Sequence, residues 1–156
     1  MIFKWKWIRL LGIVLAWLPL AVLADDYQLK SLRIVQPFTR ATPPGARAAG
    51  VFFVVDNTGA KPDALIGVAS PAAASAELHQ MTMDGSVMKM RAMTAIDVPA
   101  RGRLELKPGS YHVMLVDLVQ PIKVGDKVPL KLTFRDAGSI DIVLHVQTMG
   151  AMTHGQ

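Results

Sequence analysis

The sequence contains no cysteine. That excludes disulfides, thiolate metal centres, thiol nucleophiles and a lipid anchored through a cysteine side chain. Aromatic residues are scarce, and the three tryptophans, Trp5, Trp7 and Trp17, all stand near the start of the chain. No long stretch carries a helical period. The patterns Gly-x-Ser-x-Gly, His-Glu-x-x-His and the phosphate loop are all missing, and Asp97 and Asp117 show no spacing that pairs them for acid–base work. An enzyme is therefore not indicated. With 156 residues the chain has room for one domain with a proper core and too little for two.

The apolar residues concentrate at the N-terminus. Lys4, Lys6 and Arg9 precede a run from Leu10 to Ala24 interrupted only by Gly12 and Pro19, and Val22–Leu23–Ala24 fits a small-residue cleavage site. The run is shorter than the roughly 20 residues that span a bilayer. Residues 1–24 thus read as a secretory signal peptide cut after Ala24, with an uncleaved anchor as the alternative. Cleavage takes three positive charges and no negative ones, so the formal charge of +5 falls to +2. At that charge nucleic-acid binding loses its electrostatic case. The mature chain is expected outside the cytoplasm, as a monomer without stable membrane insertion.

From Asp25 onward short apolar–polar alternations follow one another. They predict strands at 28–35, 48–55, 63–69, 76–83, 87–93, 102–107, 111–118, 128–135 and 139–147, separated by clusters such as Thr42–Pro43–Pro44–Gly45 and Pro108–Gly109–Ser110. About nine strands with no helix argue an all-β antiparallel sandwich or barrel over 25–147. One helical turn is expected at 70–76, with Ser70 as its cap. Residues 148–156 carry no apolar pattern and are expected to form a flexible tail.

One stretch concentrates the chemistry. His79, Met81, Met83, Met88 and Met90 lie within twelve residues, with Met93 just beyond. A two-residue turn at Asp84–Gly85 would set Met88 opposite Met81 and Met90 opposite His79, all on one face. Further on, Tyr111, Val113 and Leu115 alternate with His112 and Met114, so that one face is core and the other carries two candidate ligands. Methionine is more often a core filler than a ligand, so a β-sandwich binding module with a methionine core is a standing alternative. As ligands, thioether and imidazole without thiolate or carboxylate suit Cu(I) far better than zinc, calcium or magnesium. A zinc hydrolase built on His79 and His112 would need a third ligand that the sequence does not offer. Glu77, two residues from His79, could orient that imidazole; His145 reads as a surface residue.

The spacing His79–x10–Met90–x21–His112–x–Met114, with Val87–Met88–Lys89–Met90–Arg91, Leu106–Lys107–Pro108–Gly109 and Gly125–Asp126–Lys127–Val128, resembles the periplasmic copper chaperones called PCu(A)C. The resemblance implies a cupredoxin-like Greek-key β-fold and a Cu(I) site made of His79, Met90, His112 and Met114; Met81, beside them, is either an auxiliary ligand or merely a cover for the site. It further implies delivery of copper toward the CuA centre of cytochrome c oxidase, with subunit II or a Sco-type thioredoxin-like copper protein as partner. General copper storage or tolerance is the alternative role. Some members of the family hold a second copper, Cu(II), on a His/Met-rich tail; Met149, Met152 and His154 are a thin version of it. Two departures stand out: Gln80 replaces the methionine that can follow the first histidine, and Ser110 stands where glycine is common.

Overall fold

Alternation of the kind Val128, Leu130, Leu132 and Phe134 on one side and Lys131 and Thr133 on the other sends one face of each strand inward. In the computed structural model, which describes residues 26–150, this yields eleven strands. They are β1 (Tyr27–Leu29), β2 (Leu32–Arg40), β3 (Ala48–Asn57), β4 (Asp63–Ala69), β5 (Ala73–Asp84), β6 (Val87–Met93), β7 (Ile96–Val98), β8 (Gly102–Leu106), β9 (Tyr111–Leu118), β10 (Val128–Phe134) and β11 (Gly138–Gln147). The proposed signal peptide lies outside the described residues, as do Met152 and His154 of the tail; Met149 is described and exposed.

The strands form two layers. One runs β6–β5–β9–β3–β2, with β8 continuing the line of β9 alongside β3 and β1 hairpinned onto β2. The other runs β7–β4–β10–β11. β11 belongs to both: Gly138 to Leu144 pair with β10, and His145 to Gln147 pair with β2. The core fills the space between, with Ile34, Val51, Phe53, Val55, Val113 and Leu115 from the first layer. Leu65, Leu130, Leu132, Phe134 and Ile142 come from the second.

Four expectations need correction. The sheets are mixed, because β11 pairs with β2, and β8 with β9, in parallel. The strand expected over 28–35 breaks at Lys30, whose φ of 53° turns the chain into the β1–β2 hairpin, and β2 then runs on to Arg40 through a bulge at Gln36. β7 is an additional strand, too short at three residues to show a period. The helical turn at 70–76 does not form. Ser70 does accept a hydrogen bond from the Ala72 N–H and donates one to the Pro129 carbonyl. From Ala73, however, the backbone enters the β9 ladder, which satisfies more groups than a lone costly helical turn could.

Away from the methionines, Asp63 pins the layers' edge. Its carboxylate, 8% exposed, accepts the N–H groups of Ala64, Asp136 and Ala137 at 2.7, 2.9 and 2.9 Å. Burial pushes its pKa up, but these three donors and nearby Arg135 more than offset that and hold it below the ordinary carboxylate value.

Candidate metal site

β5, β6 and β9 present the sequence-predicted residues on the face of their sheet that points away from the core. His79 is the hub. On β9 it faces His112 directly, the two rings 5.6 Å apart and nearly perpendicular. Met114 faces Glu77, the residue two before His79, and so lies diagonally from the hub. On the other side His79 pairs with Ala92, and Met90 lies on the second diagonal. The structure brings all four to one surface.

The register differs from the expected one. The turn is Gly85–Ser86, so Met90 faces Met81 and Met88 faces Met83. Gly85 alone has positive φ, 62°, among the turn residues, which is the pattern of a type II′ turn; a type I′ turn over Asp84–Gly85 would need Asp84 positive as well. The slip is two residues, one full side-chain period, so every face is preserved.

Hydrogen bonds decide which ring nitrogens are available. His79 Nε2 lies 2.8 Å from Glu77 Oε2 and donates to that carboxylate, which leaves the Nδ1 lone pair of the neutral ring pointing at Met90 Sδ, 3.2 Å away. An imidazole nitrogen and a thioether sulfur at this separation match adjacent ligands of a four-coordinate ion, which metal–N and metal–S bonds of about 2.0 and 2.3 Å place roughly 3.5 Å apart. His112 Nδ1 lies 3.2 Å from the Ser110 carbonyl, which can only accept, so Nδ1 carries the proton. Nε2 is then a lone pair, buried and without a hydrogen-bond partner. Native proteins rarely leave such an atom unsatisfied without a functional reason.

The pocket has a wall that residue types alone did not reveal. The Phe52 ring stands 6.5 Å from that of His112 and 5.3 Å from Phe38. It leans over Gly50, where a Cβ would come within 2.9 Å of its tip. Gly50 is the β3 partner of Met114, so its bareness lets aromatic and thioether share the space. His112 is only 3% exposed in consequence, whereas Met90 is 48% exposed. The Ser110 carbonyl, which holds His112, is a backbone group and left no signal in the sequence. Met81 is half-buried on the same face; His145 is exposed on β11. Among the described residues no three side chains of His, Asp or Glu gather as a metal site.

A two-layer β-sandwich with a histidine–methionine face on one sheet is of the cupredoxin-like class. The chain belongs to the LpqE-like family, whose model matches residues 32–146, and its fold is that of the PCu(A)C domains among solved structures. The copper-bound PCuAC domain from PmoF2 has a TM-score of 0.69 and 30% identity, over 80% of this chain and 98% of that one. The CuI form of DR1885 from Deinococcus radiodurans has a TM-score of 0.61 and 29% identity, covering 80% and 81%. Lxx21020 of Leifsonia xyli subsp. xyli, named as a candidate lipoprotein, is 30% identical over 131 residues, 83% of this chain and 78% of its own length.

Proposed function

We propose that this protein is an exported copper chaperone that binds Cu(I) through His79, Met90, His112 and Met114, with Met81 in reserve. The observation that carries the reading is the pair of imidazoles with their non-coordinating nitrogens already engaged. Glu77 holds Nε2 of His79 and the Ser110 carbonyl holds Nδ1 of His112, so one lone pair of each ring is left to a metal. Such outer partners fix tautomer and orientation in metal sites generally. The soft, thiolate-free donor set favours Cu(I) over zinc. The PCuAC relatives whose structures hold copper support the same reading. A methionine core is disfavoured, because Met83, Met88 and Met90 are 62, 61 and 48% exposed.

Release would proceed by ligand exchange, a partner's thiolates replacing the thioethers one at a time with copper remaining Cu(I). In this reading the cargo goes toward a CuA centre, directly or through a Sco-type protein, in the periplasm after removal of residues 1–24. A Cu(II) ion on Met149, Met152 and His154 belongs to the same proposal. Titration of the metal-free protein with Cu(I), Cu(II) and Zn(II) against competing chelators tests it. Tight Cu(I) binding, lost in His79→Ala and His112→Ala, is expected; preference for Zn(II), or no metal binding, would overturn it.

A further inference from the structure

The methionines of the hairpin extend further than four ligands require. Met81 faces Met90, and Met83 faces Met88, giving two successive rungs of thioether on the face that carries His79. The closing pair of a two-residue hairpin is hydrogen-bonded, so both methionine rungs fall on the alternate, non-bonded positions, where opposed Cα atoms approach to about 4.5 Å. The Met81 N–H agrees with this, since it turns away from β6 and donates to the Ser110 carbonyl at 3.1 Å. Neither Met83 nor Met88 packs against the core, whereas Met93, on the opposite face of β6, does. Two long apolar side chains are thus held side by side in solvent at the tip, one rung, roughly 7 Å, beyond Met81 and Met90.

Resting on the Cu(I) reading above, we propose that Met83 and Met88 form an outer capture step for a soft monovalent cation, which passes inward by way of Met81 and Met90 to His79. A two-coordinate thioether pair binds weakly and exchanges fast, while the inner imidazoles supply the affinity. Each transfer makes one metal–sulfur or metal–nitrogen bond as another metal–sulfur bond breaks. The metal stays monovalent, and no proton moves because a thioether carries none.

The test uses protein labelled at the methionine methyl carbons and titrated with Ag(I), a soft d¹⁰ ion that does not change valence. The first equivalent is expected to shift Met90 and Met114, and the second Met83 and Met88 together. In Met83→Leu/Met88→Leu, which keeps the apolar surface and removes the sulfur, the second event should vanish and the first remain. Loading of the inner site from a Cu(I)–chelator complex should then be severalfold slower at unchanged final affinity. If Met83 and Met88 stay unmoved while Met90 and Met114 respond, the capture step is overturned and the inner site stands. If Met90 and Met114 do not respond either, both fall. Loading of the leucine variant at the wild-type rate would make the tip an apolar contact surface and likewise overturn the capture step.

Discussion

His112 and Met90 stand on one face yet in different environments, and this sets what each contributes. Met90 is half exposed on a strand that no further strand flanks among the described residues, so Met90→Ala should change the stability of the metal-free protein by about 0.5 kcal/mol or less. His112 is buried against Phe52, so His112→Ala empties core-like volume and should cost about 1–3 kcal/mol, even though it removes an unpaired nitrogen. Urea unfolding of the two metal-free variants, beside Cu(I) competition, separates these terms. Both should lose copper affinity, and equal stabilities would contradict the burial. At Glu77 the carboxylate orients His79. Glu77→Ala should weaken Cu(I) binding by about 10–100-fold, and Glu77→Gln, which can still accept from Nε2, should recover most of that. A competition assay with both variants would show it; equal losses would mean that the negative charge, not the hydrogen bond, matters.

The β5–β6 hairpin depends on one glycine. Gly85 sits at φ 62° with open space around it, so Gly85→Ala pays only the backbone cost, about 1–2 kcal/mol. The loss should appear as faster amide exchange in β6 and lower Cu(I) affinity, since Met90 is presented by that strand; unaltered exchange would refute the turn assignment. The face of every candidate ligand was legible from the period of two along 79–90 and 111–115, and it survived the misplaced turn because the slip was a whole period. Position within the face was not legible. That depends on which residue of Asp84–Gly85–Ser86 takes positive φ, and an Asp-Gly pair satisfies two turn types. The β9 contribution was clearer, as Val113 and Leu115 are fully buried and Tyr111 packs beside them. The burial of His112 could not be read, because its cover, Phe52, comes from a strand sixty residues away in sequence.

Across the whole molecule, Asp63 links the start of β4 to the turn between β10 and β11. A carboxylate whose folded pKa is depressed contributes stability that is present above the unfolded value, about 3.9, and lost as pH falls through the lower folded value. The metal-free protein should therefore lose this share below about pH 4. Asp63→Asn should be less stable near pH 7 by about 2–4 kcal/mol, with the gap narrowing toward pH 3. Urea midpoints at both pH values check it; a constant gap would exclude an ionised Asp63 as its source. The strand β11 has a mechanical consequence. One continuous strand is stitched to β10 in one leaf and to β2 in the other, like the spine of a book whose pages cannot be pulled out singly. Separating the leaf that carries the histidines from its neighbour would break a ladder of this one strand, whereas β6, which no further strand flanks among the described residues, is the margin from which the histidine–methionine face can open with least disruption.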